Sequence, residues 1–317
     1  MTTWFERRTF HHGRYENLGE VTRAKQAQGL TVSVCIPTLN EAETVGRVVE
    51  AIRVPLIETV GLVDEIVVVD SESTDGTTEI AARAGATVFT DRDLVPELPH
   101  LGGKGDAMWK SLFALRGDLI VWVDADVVDF DPRFVYGLLG PLLGDPDIGF
   151  VKAFYERPLA GSTEEPLGGG RVTELMARPL LNTFWPELAG LIQPLAGEYA
   201  GRRTVLEQVP FFTGYAVELG LLIDVVDRFG LDSIAQVDLD RRTHRNRGIR
   251  DLSRMSYAIL QAAAIRLHAA GRLAEEPIGG PLRLFAKEDG EYVMEPMDVR
   301  VFERPPAATV AAYPSPT

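Results

Sequence analysis

Three short apolar runs constrain the fold of this chain more than any other feature: Thr-Val-Ser-Val-Cys-Ile-Pro at 31–37, Glu-Ile-Val-Val-Val-Asp at 65–70 and Leu-Ile-Val-Trp-Val at 119–123. Runs this brief and this rich in Val and Ile read as strands covered on both faces rather than as helices. Between them, 43–52, 77–84 and 104–115 read as helices, and 87–90 adds a short strand after Gly85. Strands and helices alternating through short connections predict an α/β fold, a mostly parallel, doubly wound sheet with helices on both faces. Ligands of such sheets bind beyond the carboxyl ends of the strands. The polar residues directly after the strands are therefore the first candidates for chemistry.

A chain of 317 residues is long enough for two domains or for one large α/β unit with additions. It carries 32 Lys and Arg against 46 Asp and Glu, a net charge of −14 that argues against nucleic acid as a main partner. A single cysteine, Cys35, leaves no internal disulfide and no multi-cysteine zinc site. No apolar leader opens the chain and no run of about 18 apolar residues interrupts it, so a cytoplasmic protein without a membrane span is expected.

Beyond residue 130 the alternation loosens. Helices are expected at 134–143, 215–229 and 251–270, and strands at 149–155 and 233–237. A helical pattern at 171–189 is interrupted by Pro179 and Pro186. Loops are expected at 161–170, rich in Gly, Glu and Pro, and at 241–250, which holds five arginines. The Pro/Ala-rich tail, 304–317, is expected to be disordered.

Asp124 and Asp126 follow the third apolar run directly. Paired carboxylates suit a hard divalent cation, which in turn bridges the phosphates of a nucleotide. Two Asp one apart are common on solvated loops, so the pair gains meaning from its companions. Pro37-Thr38-Leu39-Asn40-Glu41 follows the first run, and Asp70-Ser71-Glu72-Ser73-Thr74-Asp75-Gly76 closes the second. Such residues also make turns and caps. Three strands that all deliver acidic or amide side chains to one edge nonetheless form a costly arrangement without a ligand; Asp70 and Glu41 would suit a uracil or ribose edge.

These three motifs together resemble the nucleotide-diphospho-sugar glycosyltransferases of the GT-A fold. A narrower resemblance, over nearly the whole chain, is to the glucosyl-3-phosphoglycerate synthase family of actinobacteria. It rests on Gly102-Gly103-Lys104-Gly105, Gly168-Gly169-Gly170-Arg171-Val172-Thr173, Pro210-Phe211-Phe212-Thr213-Gly214-Tyr215 and Arg242-Thr243-His244-Arg245-Asn246-Arg247. It implies retaining transfer of glucose from a nucleotide diphosphate donor, UDP-glucose foremost, to the 2-hydroxyl of 3-phosphoglycerate, with Mg2+ or Mn2+ as cofactor and a homodimer as the assembly. It divides the chain into an extension without assigned role (1–30), a nucleotide-sugar-binding part (31–130), an acceptor-binding and helical part of the same unit (131–303) and the tail (304–317).

The resemblance also implies roles. Pro37, Thr38, Leu39, Asn40, Glu41, Ser71, Lys104, Asp124, Ala125, Tyr215, Glu218, Arg242 and His244 would bind the donor, with Asp126 and His244 on the metal. Gly170, Arg171, Thr173 and Asn246 would bind the acceptor, while Glu218, Arg242 and Asp126 would take part in the reaction itself. Elementary chemistry agrees in places. A glycine run leading into a helix with Arg171 behind it suits a phosphate, and Glu218, three residues after Tyr215 on a helix, shares its face. No carboxylate is identifiable as a nucleophile, which favours front-face attack over double displacement. Other readings are a polyprenyl-phosphate sugar transferase, a nucleotidyltransferase, whose glycine-rich loop would belong where Pro37–Glu41 stands, and a non-catalytic nucleotide-binding subunit.

Overall fold

A computed structural model describes residues 3–157, 170–242, 248–276, 279–288 and 290–314. Among these residues the chain forms β1 (Thr9–His11), β2 (Val32–Thr38), β3 (Glu65–Asp70), β4 (Thr87–Thr90), β5 (Leu119–Trp122), β6 (Phe150–Glu156), β7 (Tyr199–Arg202), β8 (Phe211–Phe212) and β9 (Ile234–Arg241). All but β8 join one eight-stranded sheet in the order β1-β9-β6-β7-β5-β2-β3-β4. Every strand runs in one direction except β7, which is antiparallel to both of its neighbours. The carboxyl ends of β2, β3, β5, β6 and β9 therefore open on the same edge.

The helices are α1 (Trp4–Arg8), α2 (Leu18–Ala27), α3 (Val45–Ile52), α4 (Thr77–Ala84), α5 (Lys104–Ala114), α6 (Arg133–Gly144), α7 (Arg178–Phe184), α8 (Arg203–Leu206), α9 (Val217–Phe229) and α10 (Ile249–Ala269). The period-2 alternation of the strands sorts side chains into two cores. Val34, Ile36, Val68 and Val121 join Val48 and Val49 of α3 and Phe134 and Leu138 of α6 on one face. Cys35, Val67, Ile120 and Trp122 join Met108 and Leu112 of α5 and Leu219 and Leu222 of α9 on the other. Each fully buried Val or Leu contributes about 2 kcal/mol, so the strand ends stand on a rigid base. No helix among the described residues is long and apolar enough to cross a membrane.

Three expectations change. The described part of the expected extension, 3–30, is tied into the fold: β1 pairs in parallel with β9 as the sheet's edge, and Trp4 Nε1 donates to the Leu231 and Ile234 carbonyls at 3.0 and 3.2 Å. Asp240 clasps this edge by accepting from His11 Nε2 (2.9 Å) and His12 Nε2 (2.6 Å); the Gly13 amide donates to His11 Nδ1, which leaves the proton on Nε2. The strand β7 was not foreseen, because Tyr-Ala-Gly-Arg lacks the β-branched signature and owes its conformation to partners on both sides.

The tail, expected to be disordered, is ordered through residue 314. Strand β10 (Leu282–Glu288) and β11 (Glu291–Met297) form an antiparallel hairpin, and β12 (Glu303–Arg304) then pairs with β8. Arg304 enters the interior to meet Asp106, Trp109 Nε1 donates to the Pro305 carbonyl at 2.7 Å, and Ala307 is fully buried. Tyr313 sets its ring edge-on to Phe113 at 5.2 Å. Proline and alanine limit what a segment can bury, but one buried ion pair and two aromatic contacts suffice to fasten it.

Candidate functional site

A cleft of about 600 Å³ lies at the carboxyl edge of the sheet. Its walls include Pro37, Thr38, Leu39 and Glu41 after β2, Ser71 after β3, Asp124, Ala125 and Asp126 after β5, Lys104 at the start of α5, Tyr215 and Glu218 at the start of α9, and Arg242 after β9. Gly170, Arg171 and Thr173 form another part of the lining. Pro37 and Arg242, 205 positions apart in sequence, thus meet because every contributing strand or helix terminus opens on the same edge.

Two acidic and amide side chains from the motifs support this edge without lining the cleft. Asp70 is buried and accepts from the Thr38 hydroxyl (2.7 Å), the Ser73 hydroxyl (2.6 Å) and the Ser73 amide (2.7 Å). Asn40 sits in the left-handed region at φ 57°, where its Oδ1 accepts the Thr74 amide at 2.9 Å. Asn40, expected on the donor, is not among the residues that line the cleft; it ties the loop after β2 to the loop after β3, the turn chemistry that Asx residues also serve. His244 and Asn246, with Gly168 and Gly169, lie outside the described residues.

The charges form a connected set. Lys104 Nζ is 2.6 Å from Asp124 Oδ1 and 3.0 Å from Glu218 Oε1. Arg242 Nη2 donates to Asp126 Oδ1 (2.7 Å) and Asp124 Oδ2 (3.1 Å). Its Nη1 donates to the Tyr155 hydroxyl at 2.9 Å and lies 3.0 Å from Glu198 Oε1. Gly197 makes the close packing possible, since a Cβ there would fall 1.9 Å from Asp124 Oδ2.

Burial opposes each of these charges, and the partners decide the outcome. Burial would lower the Lys104 pKa, yet Asp124 and Glu218 hold it well above its ordinary value. Burial would raise Asp124, yet Lys104 and Arg242 hold it below the usual carboxylate range. The Arg242 guanidinium, under Glu198, Tyr155, Asp124 and Asp126, is likewise held charged against burial. At Glu198 burial prevails and the pKa rises despite Arg242. Behind the cleft, burial pushes Lys152 down to about 7.

Arg157, Leu195, Arg254 and Met255 also line the cleft and were not anticipated. Arg157 directly follows β6, so the same strand-end rule that selected Asp124 would have found it. The contributions of Gly197, and of Glu198 and Tyr155 beneath the cleft, carry no motif and depend on β7, which the sequence pattern conceals.

Asp126 exposes part of its carboxylate to the cleft (28% of the side chain). An oxygen donor of this kind, beside a second carboxylate, fits a hard cation such as Mg2+ or Mn2+. The site as built offers carboxylates at a strand end, cations around them and a helix start with Arg171, the parts needed to hold two anionic substrates together.

The chain matches the model of glycosyl transferase family 2 over residues 33–207. It is 46% identical over 309 residues to a glucosyl-3-phosphoglycerate synthase of Petrotoga mobilis, covering 97% of this chain and 95% of that protein. The structure of mannosyl-3-phosphoglycerate synthase from Rubrobacter xylanophilus superposes with a TM-score of 0.91 at 43% identity, covering 97% of this chain and 98% of that one. Glucosyl-3-phosphoglycerate synthase from Mycobacterium tuberculosis in complex with Mn2+, UDP-glucose and phosphoglyceric acid superposes with a TM-score of 0.79 at 43% identity, covering 92% and 94%. The same enzyme has been solved with Mg2+ and UDP, at a TM-score of 0.81 and 42% identity over 95% and 98% of the two chains.

Proposed function

The chain belongs to glycosyl transferase family 2, and on that premise we propose that it transfers glucose from UDP-glucose to the 2-hydroxyl of 3-phospho-D-glycerate. The observation that carries the proposal is the single cleft in which the strand-end carboxylates, Lys104, Arg242 and the Gly170–Arg171–Thr173 turn converge. The full-length likeness to glucosyl-3-phosphoglycerate synthases supports the choice of substrates.

In this reading the donor's nucleoside lies along Pro37, Thr38, Leu39, Glu41 and Ser71, with Asp124 and Ala125 toward the ribose. Asp126 and His244 would hold a divalent cation, which when bound would neutralise charge on the diphosphate. Arg242 donates from Nη2 to the diphosphate, and its fixed fork stabilises the charge that develops on the leaving group. Glu218 and Tyr215 receive the glucose, the carboxylate accepting from sugar hydroxyls while Lys104 orients it. At the acceptor end Arg171, the Thr173 hydroxyl and the backbone at Gly170 grip the phosphate, and Asn246 is assigned to the acceptor from its place in the sequence motif alone. Clamping both anions turns the 2-hydroxyl toward the anomeric carbon and removes part of the entropy barrier.

Retention by front-face attack completes the proposal. The leaving phosphate oxygen takes the proton of the acceptor hydroxyl as the new glycosidic bond forms on the same face. Glu218 is held at 3.0 Å by Lys104, and Asp124 and Asp126 are held by Arg242; a carboxylate paired with a cation is a poor nucleophile. The same reading carries a homodimer, which analytical ultracentrifugation checks, and a cytoplasmic location, which cell fractionation checks.

The likeness to the Rubrobacter enzyme favours one second reading, in which mannose replaces glucose. A donor panel of UDP-glucose, GDP-glucose, UDP-mannose and GDP-mannose with 3-phosphoglycerate, read by NMR of the product, separates the two. An α-glucoside from UDP-glucose as the preferred product supports the first; a mannoside as the preferred product supports the second.

A further inference from the structure

We propose that Glu198, together with Tyr155, is a positioning residue for Arg242 that fixes one edge of the guanidinium and offsets its charge, so that the Nη2 contact to Asp126 at 2.7 Å is weak enough for the donor's cation to displace. The proposal rests on the donor site described above. Glu198 is fully buried, at the point where the chain enters β7, and its backbone carbonyl accepts the Ala153 amide of β6 at 3.1 Å. A buried carboxylate is costly to desolvate, and an apolar side chain in place of a buried ion pair is often at least as stable. Its placement under Arg242 calls for a reason other than stability.

The geometry supplies one. Glu198 Oε2 accepts the Tyr155 hydroxyl at 2.7 Å, and that oxygen in turn accepts Arg242 Nη1 at 2.9 Å. Glu198 Oε1 is 3.0 Å from the same Nη1, and the Arg242 Cζ lies 5.6 Å from the Tyr155 ring centre. One edge of the guanidinium is thus fixed from within, and only Nη2 reaches Asp126 and Asp124. Three carboxylates, Asp124, Asp126 and Glu198, compete for one cation. Without the inner carboxylate the full attraction of Arg242 falls on the outer pair, where a guanidinium competes with a metal ion for the same oxygens.

The test compares wild type with Glu198→Gln and Tyr155→Phe, each first shown to melt cooperatively. UDP binding is measured by calorimetry across a Mg2+ titration, and donor and acceptor are varied separately in steady-state kinetics. For Glu198→Gln, UDP affinity should fall about tenfold or more and half-saturating Mg2+ should rise, with the acceptor KM unchanged. Tyr155→Phe should shift both quantities in the same direction by less. A folded Glu198→Gln variant with wild-type UDP and Mg2+ affinities overturns the proposal, as does a loss confined to the acceptor KM. Should Glu198→Gln fail to fold, unchanged UDP and Mg2+ affinities in Tyr155→Phe overturn it equally. Absence of glucose transfer by the wild type would instead count against the functional reading, because the binding comparison does not require turnover.

Discussion

Arg304 Nε lies 2.6 Å from Asp106 Oδ1, with both side chains buried and 198 positions of sequence between them. Asp106 Oδ2 also accepts the amides of Leu101 and Gly102 at 3.2 and 3.0 Å. The far end of the chain therefore stabilises the turn that presents Lys104. Arg304→Ala should destabilise the fold by about 3–5 kcal/mol, the usual cost of stranding a buried charge. Scanning calorimetry should show a lower melting temperature. The donor KM should rise as the Lys104 turn loosens. An unchanged melting temperature would show that the Arg304–Asp106 pair contributes nothing to the fold.

Glu218→Gln keeps the shape of the side chain and removes the charge that pairs with Lys104. If Glu218 only binds sugar hydroxyls, kcat/KM for the donor should fall by about 10- to 100-fold, equivalent to one charged hydrogen bond. The product should keep its anomeric configuration. Intact-mass spectrometry of wild type with donor and no acceptor should detect no glycosyl-enzyme. A trapped adduct on Glu218 would instead support double displacement.

Lys152 gives the pH dependence a definite sign. Its ammonium lies 3.9 Å from the Tyr199 ring centre and donates to the Ala196 carbonyl at 2.5 Å, yet burial lowers its pKa from 10.5 to about 7. Between those values the unfolded chain binds a proton that the native state does not, so this residue makes stability rise with pH from about 7 to 10.5, by at most about 1.4 kcal/mol per unit. The stability of wild type relative to Lys152→Met, from melting curves at pH 6.5 to 9.5, should increase with pH. Parallel curves would mean that the ring and the carbonyl keep the ammonium charged throughout.

The fold was legible where local signals and tertiary structure agree. β3, α4 and β4 have the bounds expected for them, because β-branched runs and a glycine stop leave little choice. β7 was not legible, since Tyr199–Arg202 becomes a strand only through pairing with β5 and β6. The tail was misread for the same reason: nothing near Arg304 in sequence announces Asp106. In the site, the strand-end rule led to Asp124, Asp126 and Ser71, but it could not separate Asn40, which fastens two loops, from residues that face the cleft. Glu198 and Tyr155 were beyond sequence reading because their importance arises only from contact with Arg242.

The most direct test of the central claim is UDP release from UDP-glucose with Mg2+, with and without 3-phosphoglycerate, for wild type and Arg171→Ala. The account predicts release that depends on 3-phosphoglycerate in the wild type and a fall of about 10- to 100-fold in kcat/KM for the acceptor in the variant, since Arg171 would supply charged hydrogen bonds to the phosphate. Release that is indifferent to 3-phosphoglycerate, or an Arg171→Ala variant with an unaltered acceptor kcat/KM, would contradict it.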